Sequence, residues 1–189
     1  MPIIVTIASA KGGASKTTLA VALAAAAPAS ILLVDTDPSE SAARWLQRLD
    51  DQQVRVTTAR SAKALERVLE TAEEDLVLID TPPLYEDAPL VQAAVEASAV
   101  VLTPLNPSPA DIERLELIRG AVGERTWRVV ITQERAWTRL GRVLREQLTE
   151  GGIPLLEHGL PFSEASRTAW GTAAPDPEAA AAIWEDLTK

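Results

Sequence analysis

The chain contains no cysteine and only one histidine, one methionine, one tyrosine and one phenylalanine among its 189 residues. The lack of cysteine excludes disulfides, thiolate metal sites and cysteine nucleophiles, and it suits a reducing cytoplasm. The longest hydrophobic run, LAVALAAAAPA, is broken by Pro28 and is far shorter than the roughly 20 residues that span a bilayer. The opening MPIIVTIAS predicts a strand and not a signal peptide. We therefore expect a soluble cytoplasmic protein.

The chain also lacks a basic character, since its formal net charge is -9. A surface of that sign repels phosphates, so any contact with DNA must be a local patch. Hydrophobic residues make up 47% of the chain, which is enough to build a sizeable core. We expect one domain over residues 1–189.

Short apolar segments alternate with longer segments that have helical periodicity. Six of the apolar segments predict buried parallel strands: residues 3–9, 30–36, 53–58, 75–80, 99–105 and 127–132. IPLLE (153–157) predicts a further short strand, and residues 177–189 predict a final helix. The alternation predicts a doubly wound α/β fold, with a mostly parallel sheet and helices on both faces.

The first strand leads into AKGGASKTTLAVALA, a glycine-containing turn that opens a helix. Free backbone N–H groups and the helix dipole bind anions at such a junction. Lys16 is predicted to reach the terminal phosphates of a nucleotide, and the Thr17 hydroxyl to bind Mg²⁺. The alternative is a strand-to-helix turn without a nucleotide. The predicted nucleotide-binding residues here are Gly12, Gly13, Ala14, Ser15, Lys16, Thr17 and Thr18.

KGGASKTT departs from the general pattern G-x-x-x-x-G-K-[ST], because Ala10 and Ser15 occupy its glycine positions. It resembles the deviant Walker A loop of the ParA/MinD ATPases, K-G-G-x-G-K-[ST]-[ST], at every fixed position except Ser15. The resemblance implies a P-loop NTPase that hydrolyses ATP to ADP with Mg²⁺. It also makes Lys11 the signature lysine, which reaches the partner's nucleotide, so it implies a homodimer in the ATP-bound state.

Ser15 is the departure that bears on activity. A glycine before the lysine often serves a backbone shape that a Cβ would crowd, and a strained residue costs about 1–3 kcal/mol. The side chain could weaken nucleotide binding, or its hydroxyl could bond a phosphate.

Three aspartates lie at or just beyond the carboxyl ends of predicted strands, in VDTDP and LIDTPP. The carboxyl ends of parallel strands form the edge at which α/β proteins bind ligands. By the resemblance, Asp80 holds Mg²⁺ through water, Asp35 lies near the metal and Asp37 orients the attacking water. Phosphoryl transfer needs little beyond such positioning and charge neutralisation. Taken singly, each aspartate could instead cap a helix or stabilise a turn.

TPLNPSPADIERL resembles the Pro-rich segment of short plasmid-partition ATPases, so the resemblance covers nearly the whole chain. The loop 159–167 falls where family members enclose adenine, which implies contacts from Pro161 and Phe162. A core position is the alternative for Phe162.

Several branches of the family are excluded or disfavoured. Iron–sulfur and metalloid sites need cysteine, and the acidic EAAAAIWEDLTK differs from the basic amphipathic helix of membrane-bound relatives. We therefore expect no membrane partner, and a nucleoid-associated protein that partitions DNA or positions a cargo. Its implied partners are non-specific duplex DNA and a ParB-like or other small cargo-adaptor protein.

A basic stripe is the first candidate for DNA contact. Its members recur at steps of four, three and three, which places them on one helix face: Arg135, Arg139, Arg142 and Arg145. The alternative is a solvated face paired with neighbouring glutamates. Arg167, on a later loop, is a second candidate.

Two other functions are kept open. One is an ATP-dependent metabolic enzyme of the same fold, similar to dethiobiotin synthetase, which Lys11 and the short chain disfavour. The other is a nucleotide- or DNA-binding module that Ser15 leaves with little turnover.

Overall fold

The computed structural model describes residues 2–49, 51, 53–133 and 138–189. Six parallel strands form one sheet in the order β3-β2-β4-β1-β5-β6. They are β1 (Ile3–Ile7), β2 (Ile31–Asp35), β3 (Val54–Thr58), β4 (Leu76–Asp80), β5 (Val100–Leu105) and β6 (Thr126–Ile131). All six predicted strands are present, and the predicted doubly wound α/β fold is confirmed.

Helices connect the strands and cover both faces of the sheet. They are α1 (Lys16–Ala25), α2 (Ser41–Leu49), α3 (Ala62–Glu70), α4 (Ala88–Ala97), α5 (Pro109–Glu113), α6 (Leu115–Val122), α7 (Arg139–Glu150), α8 (Glu164–Thr168) and α9 (Pro177–Leu187). Buried residues of α1, α2 and α9 form one core cluster with the sheet, and those of α3, α4 and α6 contribute to the clusters of the other face. None of the described helices is both long and apolar enough to cross a membrane.

Helix α1 is the most deeply buried helix near the site. Leu19, Val21 and Leu23 are fully buried, and its alanines let α2 and α9 pack closely on it. The indole Nε1 of Trp184 in α9 donates to the Leu23 carbonyl at 2.9 Å. The N-terminus of α1, which follows β1, is therefore held rigidly at the centre of the sheet edge.

The predicted strand at 153–157 is wrong. Leu155 forms only an isolated parallel bridge with Val129, supported by bonds from Val129 N to the Pro154 carbonyl and from Leu156 N to the Val129 carbonyl, both 2.9 Å. Pro154 has no N–H to donate, which limits the ladder.

Candidate nucleotide site

The loop between β1 and α1 has the backbone shape of an anion cradle. Gly13 and Ser15 both have positive φ, 75° and 66°, and such turns direct successive N–H groups to one side. Ser15 therefore occupies a left-handed position that favours glycine. The loop opens onto a cleft of about 500 Å³, termed the phosphate cleft after its predicted ligand. It is lined by Gly12, Gly13, Ser15, Lys16, Thr17, Thr18, Asp37, Pro83 and Glu86.

Lys16 lies in this cleft with its side chain folded onto its own loop. It is only 7% exposed, and its Nζ donates to Ser9 Oγ at 3.1 Å and to the Lys11 carbonyl at 3.4 Å. Burial lowers the pKa of Lys16, although nearby carboxylates act in the opposite direction. Its partners are neutral, so an anionic phosphate could replace them with a net gain in charge pairing.

Thr17 and Asp80 form the pair that could hold a metal ion. Thr17 Oγ1 donates to Asp80 Oδ2 at 3.0 Å, while Asp80 Oδ1 is buried with no hydrogen-bond partner among the described residues. Burial, and then the charge of Asp35, raise the pKa of Asp80 to about 8. A buried oxygen without a donor needs an explanation, and a hydroxyl beside a carboxylate suits Mg²⁺. The residues present fit this ion.

Asp35 lies directly beside Asp80, since the two are paired in register on β2 and β4. Its Oδ1 accepts from Asp37 N at 3.0 Å and its Oδ2 from Ala43 N at 2.9 Å. Burial raises the pKa of Asp35, while these two amides lower it. Both oxygens thus hold the turn that leads into α2. The near-metal role of Asp35 stays a prediction.

Asp37 reaches the phosphate cleft from this turn. Its Oδ1 accepts from Ser39 N at 2.8 Å, and its own backbone is bonded through Asp35 and Glu40. Within the described part of the chain, no donor contacts its Oδ2. The side chain is therefore oriented by its own turn while one oxygen is available to a ligand.

Lys11 lies outside this cleft. Its Nζ pairs with Asp111 Oδ1 at 2.5 Å, and the same oxygen lies 3.6 Å from Arg114 Nη1. Ser108 Oγ donates to the other Asp111 oxygen at 2.8 Å. The Lys11 side chain is 38% exposed, so it is held at the surface by α5.

A second pocket, of about 280 Å³, adjoins the phosphate cleft. The two share Ser15 and Thr18, and the pocket is lined by Ser15, Thr18, Thr132, Gln133, Leu160, Pro161, Phe162, Ser163, Ser166 and Asp176. The predicted Pro161 and Phe162 thus lie together on one wall. The pocket could hold a flat base while the phosphates lie in the cleft.

Asn106, which the sequence analysis missed, links this pocket to the loop. Its Nδ2 donates to the Gly13 carbonyl at 3.0 Å, and its Oδ1 accepts from Thr132 Oγ1 at 2.8 Å and Ser15 Oγ at 3.3 Å. Gln133 Nε2 also donates to Ser15 Oγ at 3.3 Å. Thr132, Gln133 and Asn106 all follow strands at the carboxyl edge, and that position is the signal that could have identified them.

The family described as the CobQ/CobB/MinD/ParA nucleotide binding domain matches residues 5–173. The chain belongs to this ParA/MinD family. A relative, the maintenance of carboxysome distribution protein A of Gloeobacter kilaueensis, is 37% identical over 167 residues, which cover 82% of this chain and 75% of that protein.

Solved structures share the ParA/MinD fold at low identity. A putative plasmid partition protein of Borrelia burgdorferi bound to AMPPNP aligns with a TM-score of 0.80 and 19% identity, covering 100% of this chain and 99% of that one. An ATP complex of a McdA variant from Cyanothece aligns with a TM-score of 0.75 and 17% identity, covering 99% and 96%. Both support the ParA/MinD assignment at the level of the fold.

The predicted basic stripe of this ParA/MinD protein is only partly described. Arg139 and Arg142 are exposed on α7, whereas Arg145 is half-buried and donates from Nη1 to the Leu156 carbonyl at 2.9 Å. Arg135 lies outside the described residues. Arg167 falls in α8, and its side chain also lies outside the description. Arg145 therefore helps to anchor the 153–156 segment.

Proposed function

We propose that this protein is a Mg²⁺-dependent ATPase that forms a dimer around ATP, binds DNA without sequence preference and positions a cargo. The observation that carries the proposal is the joining of two pockets at Ser15 and Thr18. One contains the loop, Lys16 and Asp37, and the other offers a base-sized cavity beside Phe162. Their combined shape suits a nucleoside triphosphate.

In this proposal, different residues hold the metal ion, bind the terminal phosphate and orient the attacking water. Thr17 and Asp80 would hold Mg²⁺, which supplies charge neutralisation on the phosphates. Lys16 exchanges its Ser9 contact for the terminal phosphate. Asp37 accepts a hydrogen bond from the attacking water and orients it.

The placement of Lys11 supports the dimer. Its ammonium pairs with Asp111 outside the cleft of its own subunit, so in this proposal it serves the nucleotide of a facing subunit. We infer that ATP favours the dimer, and that ADP or no nucleotide favours the monomer.

The DNA contact is proposed on the exposed Arg139 and Arg142, with Arg135 and Arg167 as further candidates. A dimer would present two such surfaces to one phosphate backbone, which raises their joint affinity. The cargo would be a plasmid, a chromosome or a protein body, reached through a ParB-like or other small adaptor. The carboxysome relative supports the positioning of a protein body.

The central experiment combines sedimentation with hydrolysis assays. Wild type with ATP and Mg²⁺ should dimerise, Lys11→Ala should stay monomeric, and Lys63→Ala, a lysine exposed on α3, should behave as wild type. Asp37→Ala should bind ATP normally but hydrolyse it about 100-fold more slowly, since the carboxylate acts on the water. A wild type that stays monomeric with ATP at high concentration contradicts the dimer cycle.

DNA binding needs its own test, a salt series of binding isotherms with ATP. Arg139→Ala and Arg142→Ala should each flatten the log–log slope by about one unit, whereas Arg67→Ala on α3 should not. If both α7 variants bind as wild type does, the contact lies elsewhere.

The same assays separate the two alternatives. A metabolic enzyme is favoured by a cavity of about 650 Å³ beside the site, which is lined partly by Pro107, Ile112, Leu144 and Phe162 and could hold a second substrate. Such an enzyme would remain monomeric with ATP and would not bind DNA. A module without turnover would bind ATP and fail to hydrolyse it, with the strain at Ser15 as the physical cause.

A further inference from the structure

The turn after β2, residues 36–40, carries Asp37 and is bonded at both ends. Asp37 N donates to Asp35 Oδ1, and the Asp37 carbonyl accepts from Glu40 N at 3.0 Å. Glu40 closes the turn with a φ of 51°. A non-glycine residue in that region persists only where its surroundings hold it.

Arg60, which follows the edge strand β3, contacts both ends of this turn. Its Nη1 donates to the Asp37 carbonyl and its Nη2 to Glu40 Oε1. The guanidinium is a planar fork, so two bonds from one group fix the distance between their acceptors. Arg44 of α2 adds a bond to the Ser39 carbonyl.

Stability is a weak reason for this arrangement. The Arg60 and Glu40 side chains are 38% and 43% exposed, and ion pairs so open to water contribute little to folding. Arg60 is also absent from the residues that line the phosphate cleft. Its contacts therefore bear on the shape of the Asp37 turn, and not on contact with a ligand.

We propose that Arg60 is a positioning residue that holds the 36–40 turn, so that the Asp37 carboxylate stays aimed into the phosphate cleft. The inference rests on the proposed role of Asp37 in orienting water. Arg60 then affects the hydrolytic step through Asp37 and leaves nucleotide affinity unchanged.

The experiment measures single-turnover ATP hydrolysis and nucleotide affinity in Arg60→Gln. Hydrolysis should slow about tenfold, because small misplacements of a catalytic group are expensive in rate, while affinity stays within about twofold of wild type. Arg60→Lys, which can still donate to one acceptor, should recover part of the rate. Arg55→Gln is the matched control, since Arg55 lies on β3, is 56% exposed and pairs with Glu74 outside the 36–40 turn.

A double-mutant cycle distinguishes positioning from a general structural effect. In an Asp37→Ala background, Arg60→Gln should cause no further loss of rate, because the side chain that it positions is gone. An equal fractional loss in both backgrounds, or an unchanged rate in Arg60→Gln alone, overturns the proposal.

Hydrogen exchange separates this inference from the proposed function. The Ser39 and Glu40 amides, which donate within the turn, should exchange faster in Arg60→Gln than in Arg55→Gln. If wild type does not hydrolyse ATP, the proposed role of Asp37 is wrong. Faster exchange in Arg60→Gln would still support the inference that Arg60 holds the turn. Unchanged exchange overturns it.

Discussion

The loop after β1 and the turn after β2 both face the phosphate cleft, but their charged side chains are held in different ways. Lys16 donates to a hydroxyl and a carbonyl, and Lys11 pairs with Asp111. Asp35, in contrast, accepts only from backbone amides within its own turn and helix. The lysines thus have partners that a ligand could replace, whereas the Asp35 carboxylate is already fixed by backbone amides.

The largest expected effect is that of removing Lys16, which tests whether a phosphate replaces its loop partners. Lys16→Ala should weaken nucleotide binding by about 100-fold, since charge-assisted hydrogen bonds contribute about 1.5–3 kcal/mol each. Titration calorimetry with an ATP analogue checks this, with Lys63→Ala as the control. A loss of less than about threefold would mean that Lys16 keeps its loop contacts when nucleotide binds.

The second prediction concerns the buried carboxyl group of Asp80. Its pKa is raised to about 8 in the folded state, so the unfolded chain binds fewer protons and stability falls as pH rises from about 4 to about 8. Asp80→Asn cannot titrate. Wild type should therefore lose about 2–3 kcal/mol of unfolding free energy relative to Asp80→Asn as the pH rises from about 5.5 to about 8.

Urea unfolding of nucleotide-free protein at the two pH values measures this difference. Glu116→Gln, an exposed carboxylate on α6, should follow the wild-type pH dependence. Parallel pH curves for wild type and Asp80→Asn would show that the Asp80 carboxyl titrates normally.

The third prediction concerns the ion pair between Lys11 and Asp111. Asp111→Asn removes the charge but keeps an acceptor for Ser108, so the ATP-dependent dimer should form at about threefold lower concentration, in line with the modest strength of an ion pair whose lysine is 38% exposed. Analytical ultracentrifugation measures it, with Glu116→Gln, which breaks the pair with Arg119, as the matched control. A dimer that forms no more readily than wild type would show that Asp111 does not compete for Lys11.

The smallest expected effect concerns Ser15. Ser15→Gly relieves a left-handed backbone strain of about 1 kcal/mol, but glycine adds about 0.5–1 kcal/mol of chain entropy to unfolding. Stability should therefore change little. Nucleotide should bind slightly tighter or turn over faster, because glycine restores the unstrained family loop, and the Ser15 hydroxyl already has Asn106 and Gln133 as partners in place of a phosphate.

Ser15→Ala, which keeps the Cβ and removes the hydroxyl, is the comparison for this last test. Weaker binding in both variants would make the hydroxyl a phosphate ligand. Unchanged affinity and rate in Ser15→Gly would contradict both accounts of this position.

Local rules explain what could be predicted of the fold and the site. Strand and helix periods, a glycine turn before Lys16 and aspartates after buried strands are all short-range patterns, and parallel pairing brings such strand ends to one edge. Asp35 and Asp80 were therefore predicted together, and their register confirms that they are neighbours. The strand predicted at 153–157 is absent because Pro154 interrupts strand pairing. The proline is a local signal against a strand, but the prediction gave more weight to the apolar residues around it.

The sequence by itself determined the α/β order, the phosphate loop and the carboxylates beside it, because each depends on residues that are close along the chain. Only the tertiary structure decided that Asn106 and Gln133 meet Ser15, that Asp111 pairs with Lys11, and that Arg145 bonds Leu156. The first two depend on which strands and helices become neighbours across the sheet. The contact of Arg145 depends on how α7 packs, since helical spacing predicts a face but not whether that face meets water or another segment.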